Sequence, residues 1–129
     1  MKVPVLCREN INRKYGGGDM QINVEQKGEV TVYNMSGDID INTSPEVKKA
    51  FDGAMKDKHE KVVINLKDVG YVDSSGLATL VEILKNLRAY GGKLKLSNLS
   101  DKVKGLFEIT KLDKLFDIVA DEEEAVSSF

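Results

Sequence analysis

Asp73-Ser74-Ser75-Gly76 is the stretch of this chain whose residue types could do chemistry. Before it lies a short, nearly continuous apolar run, residues 62–66. After it, Leu77, Leu80, Val81, Leu84 and Leu87 recur at helical spacing, so the pattern predicts a buried strand turning into a helix at the tetrapeptide. Open α/β sheets place their sites at such carboxyl ends of strands. The first N–H groups of a helix lack intrahelical partners and carry positive partial charge, so they accommodate an added phosphate. Ser74 is expected to project from the junction and Ser75 to cap the helix, while Gly76 leaves the approach open. Read alone, the tetrapeptide is also an ordinary N-cap, since Asp and Ser are common cap residues.

Other chemistries lack their parts. A Ser-His-Asp hydrolase needs a histidine against the serine. The single histidine, His59, lies in the charged turn Lys56-Asp57-Lys58-His59-Glu60-Lys61. The serine is not in a Gly-x-Ser-x-Gly elbow. No histidine–cysteine cluster indicates zinc, so neither a catalytic residue nor a metal ligand is expected. Gly16-Gly17-Gly18 has no Lys-Ser/Thr behind it, and Gly91-Gly92-Lys93 follows a helix, so neither is a phosphate-binding loop. A phosphoacceptor receiver with Asp73 as acceptor would need an acidic pair after its first strand, and residues 22–26 offer none.

Several elements must position the tetrapeptide. Ile22 and Val24 alternate with polar neighbours, Lys27-Gly28 supplies a turn, and Val30, Val32 and Asn34 continue as a second strand, giving a hairpin. Gly37-Asp38-Ile39-Asp40 leads to Thr43-Ser44-Pro45-Glu46, a helix start in which Ser44 caps ahead of Pro45 or Thr43 and Glu46 form a capping box. Val47, Ala50, Phe51, Ala54 and Met55 share one face of that helix, with Lys48, Lys49, Asp52 and Lys56 opposite. Past the tetrapeptide, Gly91-Gly92 closes the second helix, and Leu94 and Leu96 mark a strand. Ser100 caps a helix bearing Val103, Leu106 and Phe107. Phe116, Ile118 and Val119 form a last strand before a helix capped by Asp121. The order β-β-α-β-α-β-α-β-α is one α/β domain with a mixed sheet: an N-terminal hairpin, then parallel crossover strands, with about four helices. The domain is expected over residues 20–129, with residues 1–19 as a flexible extension hinged at the glycines.

Composition bounds the function. The chain has 129 residues, 41% hydrophobic and 31% charged, with 19 basic and 21 acidic residues and a net charge of -2. That is enough chain to bury a core without staples. Interspersed charge provides no basic stripe, so direct nucleic-acid binding is not expected. Nor does any apolar run approach the ~20 residues that span a bilayer. The single cysteine, Cys7, forms no internal disulfide and suits a reducing cytoplasm.

Gly37-Asp38-Ile39-Asp40, the run 62–66 and Tyr71-Val72-Asp73-Ser74-Ser75-Gly76-Leu77 together resemble the framework of STAS domains, particularly the stand-alone anti-sigma factor antagonists. Similar too are Tyr90-Gly91-Gly92 and Val103-Lys104-Gly105-Leu106-Phe107 ahead of Leu112 and Phe116. The resemblance implies a single STAS-type domain that is not an enzyme and carries no cofactor. It also implies phosphorylation of Ser74 by a partner anti-sigma factor that is a serine protein kinase, with a metal-dependent serine phosphatase reversing it. The dephosphorylated form would bind the anti-sigma factor and free the sigma factor. Asp38, Asp40, Asp73, Ser75, Gly76 and Leu77 are the expected partner-binding residues. Asp38 and Asp40 read equally as solvated turn residues; Leu77 is read as part of the docking face, with a core residue of the second helix as the alternative. The alternative function is a non-switched STAS scaffold subunit of a signalling or lipid-transport complex.

Overall fold

The computed structural model describes residues 12–17, 20–56 and 58–129, with the backbone alone for 12–17, 54 and 55. Six strands form one sheet in the order β1-β2-β3-β4-β5-β6. They are β1 Asn12–Gly17, β2 Met20–Lys27, β3 Val30–Gly37, β4 Lys61–Asp68, β5 Lys93–Ser97 and β6 Asp117–Val119. The helices are α1 Ser44–Lys56, α2 Ser74–Ala89, α3 Asp101–Ile109 and α4 Glu122–Ser127, with a 3-10 turn at Leu112–Lys114. β1, β2 and β3 pair antiparallel, and every later neighbour is parallel, joined through a crossover helix.

The expected hairpin is β2–β3. Gly28 at its turn takes φ +63, a left-handed conformation that costs glycine nothing. Strand alternation then divides the apolar residues between two faces. Ile22, Tyr33, Ile64 and Leu96 point to one side, where Val47 and Phe51 of α1, Leu80 and Leu84 of α2, and Val103 and Phe107 of α3 complete the main core. Tyr33 stacks on Phe51 with ring centroids 4.1 Å apart, and Phe107 meets Phe116 edge-on at 5.5 Å. Val30, Val32 and Val63 point the other way and are covered by Ala125 of α4. Of the apolar face expected for α1, Val47, Ala50 and Phe51 are buried, whereas the side chains of Ala54 and Met55 lie outside the described residues.

One expectation about the chain's start changes. Residues 1–19 read as a flexible extension, yet Asn12–Gly17 is a strand, in register with β2 from Asn12↔Glu25 to Gly17↔Met20. Residues 1–11, 18 and 19, and with them Cys7, lie outside the described residues. Asn12-Arg13-Lys14-Tyr15-Gly16-Gly17 has no apolar alternation. An edge strand held by backbone pairing leaves no such mark in the sequence.

Candidate functional site

Two loops at the carboxyl ends of neighbouring parallel strands build the site. One joins β3 to α1 and the other joins β4 to α2, and they are knitted together beyond the sheet. Ile39 N–H donates to the Tyr71 carbonyl at 2.9 Å and Asp73 N–H to the Ile39 carbonyl at 3.1 Å. This extends the parallel ladder by one bridge, Ile39↔Val72. Both Ile39 and Val72 are buried, so the contact is anchored in the core.

Asp73 is the N-cap of α2, with extended backbone angles, φ -96 and ψ -175. Its Oδ1 accepts from Gly76 N–H at 2.9 Å, and its Oδ2 accepts from Ile41 N–H at 3.2 Å. A single carboxylate therefore starts the helix and fixes the neighbouring loop. Ser75 does not cap, contrary to expectation: it sits in the first turn, half-buried, and its carbonyl accepts from Thr79 Oγ1 at 2.9 Å. Aspartate caps the helix two residues earlier, and the Leu77 N–H that a Ser75 cap could have used already donates to the Asp73 carbonyl at 2.9 Å.

Ser74 is the first residue of α2 and is exposed. Its hydroxyl makes no hydrogen bond with any described residue, and neither its N–H nor that of Ser75 has a partner within the helix. A group added to that hydroxyl would meet solvent and the positive end of a sixteen-residue helix.

Gly76 and Leu77 are not surface residues. A Cβ on Gly76 would lie 2.4 Å from the Ile39 carbonyl oxygen and 2.8 Å from Ile39 Cγ2, so only glycine lets the two loops close. Leu77 belongs to the main core and is 8% exposed. Both therefore leave the set of docking residues. Their task is to seat the loop under Ser74, and truncating a core leucine to alanine typically costs about 2–5 kcal/mol.

The two loop aspartates divide their roles. Asp40 shapes the loop: its Oδ1 accepts from the N–H groups of Asn42 and Thr43 at 2.9 and 3.0 Å, a local turn closed by its own side chain. Thr43 Oγ1 donates to the Asp38 carbonyl at 2.6 Å and accepts from Asp40 N–H at 2.9 Å, while Ser44 Oγ donates back to the Asp40 carbonyl at 2.7 Å. Neither cap expected for α1 is formed, because both hydroxyls tie the loop instead. Asp38 is exposed, and Gly70 lies beside its carboxylate.

Sequence reasoning missed three residues around Ser74. Ile41 is 69% exposed and Tyr71 is 41% exposed, two of the three large exposed hydrophobics among the described residues. Ile41 hangs from the loop that Asp73 holds, and Tyr71 sits two residues before Asp73. Lys102, at the start of α3, lies over the Tyr71 ring, 5.5 Å from its centroid. For Ile41 and Tyr71 the signal was apolar character in segments with no period, and Lys102 carried none.

The single histidine of the chain is not beside Ser74. His59 precedes β4 and its Nδ1 lies 3.2 Å from Thr31 Oγ1, half-buried and not a fully solvated turn residue. β4 separates it from Ser74 by roughly 25 Å at about 3.3 Å per residue. Among the described residues no group of three or more His, Cys, Asp or Glu could hold a metal. No described helix is long and apolar enough to cross a membrane.

The mixed sheet with its crossover helices agrees with what comparison with known proteins finds. Residues 21–125 match the STAS domain. This chain belongs to the STAS domain family. It is similar to the anti-sigma-B factor antagonist of Bacillus subtilis, with 34% identity over 84% of this chain and 98% of that protein. The antagonist of the same name from Staphylococcus aureus is 32% identical over 77% of this chain and 94% of its own length. Among solved structures, an anti-sigma factor antagonist from Mycobacterium paratuberculosis superposes with a TM-score of 0.78 at 26% identity, covering 84% of this chain and 92% of that one. The STAS fold expected from the sequence is thus the fold of the family.

Proposed function

We propose that this chain is an anti-sigma factor antagonist that works in the cytoplasm by docking, not by turnover, and that phosphorylation of Ser74 releases it from its partner. The observation that carries the reading is the exposed, unbonded Ser74 hydroxyl at the first position of α2, flanked by Ile41 and Tyr71. The names of its relatives support the same class of partner. That partner is an anti-sigma factor with serine kinase activity, and a serine phosphatase restores the binding form. No direct contact with nucleic acid is involved.

The switch follows from charge and shape. Phosphate adds about -1.5 to -2 charges at pH 7. The helix end favours that charge, whereas the adjacent Asp73 carboxylate and Asp38 oppose it, so the domain itself refolds little. At an interface centred on Ser74, a dianion displaces apolar contact made through Ile41 and Tyr71 and leaves charge unpaired. A loss of ~3 kcal/mol there weakens binding by about two decades.

Incubation with the cognate anti-sigma factor and ATP should add one phosphate, located on Ser74 by mass spectrometry. Ser74→Ala should fold normally, resist modification and stay bound. Ser74→Asp should bind weakly, with partial mimicry because one carboxylate carries less charge than phosphate. Incorporation that persists in Ser74→Ala would defeat the site assignment. Partner binding indifferent to both variants would favour the non-switched scaffold.

A further inference from the structure

β6 is three residues long and pairs only with Lys95–Ser97 of β5. The start of β5, Lys93 and Leu94, therefore has no strand on that edge. The gap lies at the end of the parallel strands opposite to Ser74, and it is closed by the last turns of α2 and by the segment leading into β6. A cleft of about 300 Å³ remains, at the small end of the range for small-molecule sites.

Its walls are of two kinds. The floor is apolar: Leu84, Leu94 and Phe116 are buried, and Leu115 is half-buried. The mouth is cationic, with Arg88, Lys93 and Lys114 all exposed. Arg88 donates once, to the Leu115 carbonyl at 3.3 Å, and no described carboxylate pairs with any of the three. The one acidic group at the cleft, Asp117, is paired with Lys95 at 3.3 Å, so its charge is answered. The negative end of α2 is answered as well, since Gly92 N–H donates to the Leu87 carbonyl at 2.8 Å and Gly91 N–H to the Arg88 carbonyl at 3.1 Å. Three unpaired cations over an apolar floor stand out in a chain whose net charge is -2.

We propose that this cleft binds a small amphipathic anion, a molecule with a compact apolar body and one carboxylate, sulfonate or phosphate group. The body fills the floor against Leu94 and Phe116, and the anionic group meets Arg88 and Lys114 at the mouth. Guanidinium is suited to such a group because its planar fork offers two parallel donors. Lys93 adds a flexible third charge.

The test uses the full chain and a defined probe, 8-anilinonaphthalene-1-sulfonate, read by fluorescence and by amide chemical shifts. One saturable site is expected, with shifts concentrated at Leu84, Leu94 and Phe116. The uncharged N-phenyl-1-naphthylamine should bind at least tenfold more weakly. Arg88→Gln with Lys114→Gln should weaken the sulfonate at least tenfold, whereas Lys85→Gln, on the same helix, should change nothing. Lys93→Gln, whose side chain has no hydrogen bond to any described residue, should weaken binding severalfold and guards against a folding defect in the double variant. Equal affinity for the two probes, affinity unmoved by the cationic variants, or shifts centred elsewhere would overturn the proposal.

Discussion

Asp73 spends one carboxylate on two N–H groups, one in its own helix and one in the loop before α1. Removing it should therefore cost more than an ordinary cap. Asp73→Ala should lower stability by ~1–2 kcal/mol, read by denaturant unfolding, and should loosen the loop carrying Ile41. Ser75→Ala should stay within about 0.5 kcal/mol, because its hydroxyl bonds to no described residue. A larger loss for Ser75→Ala would restore the capping role that the sequence suggests. Exposed apolar side chains beside a docking residue are the usual carriers of interface energy. Ile41→Ala and Tyr71→Ala should each weaken anti-sigma factor binding by ~1–2 kcal/mol without lowering the melting temperature. Affinity unchanged in both would move the docking face elsewhere. At this scale the sequence made Asp73 and Ser74 legible, because residue type and position at a strand–helix junction suffice to single them out. Ile41, Tyr71 and Lys102 were not legible, because loop residues have no period to betray which way they face. Leu77 misled for a related reason: an apolar residue in a first turn fits core and surface alike, and only packing decides.

Among the elements, those that bury a face announce themselves. The β2–β3 hairpin, β4, β5 and the apolar sides of α1, α2 and α3 all follow from spacing, since each must turn a periodic apolar set toward one core. β1 has no such set and is held by its ladder to β2. That difference carries a prediction. Deleting residues 1–17 should cost more than a surface change, ~1–3 kcal/mol, because β2 then becomes an edge and loses its partners. The uncovered β2 should also self-associate, as unpaired edges do. Thermal unfolding and sedimentation of the truncated chain check both effects. A melting temperature and a monomeric state equal to those of the full chain would show that the pairing contributes nothing.

Across the whole molecule, the second face of the sheet is closed by a helix only six residues long. Its apolar contribution is small, centred on Ala125, and polar contacts supplement it at both ends. Glu122 is hydrogen-bonded and ion-paired to Lys27 and accepts from Asn65 Nδ2 at 3.0 Å. At the other end Lys95 Nζ donates to Ser128 Oγ at 2.6 Å and lies 5.0 Å from the Phe129 ring centroid. The sequence identified α4 by its cap and acidic first turn, but a partner 95 residues away was beyond any local pattern. This clamp ties stability to pH. Burial disfavours the Glu122 carboxylate, yet the bonds from Lys27 and Asn65 outweigh it and hold its pKa below the ordinary 4.5. A depressed carboxylate gives stability that is complete above 4.5 and disappears as pH falls through the lower folded value. Lys27 is raised above 10.5, chiefly by its bond to Glu122, so its share is complete below 10.5 and fades as pH rises through the higher folded value. Because the Lys27 side chain is 43% exposed, the pair is worth only ~0.5–1 kcal/mol. Glu122→Gln should accordingly be less stable than the parent by about that amount at pH 7, and the gap should close as the solution is acidified below 4.5. Denaturant unfolding of both proteins across that range is the measurement. A gap that stays constant with pH would mean that Glu122 holds α4 by packing and not by charge.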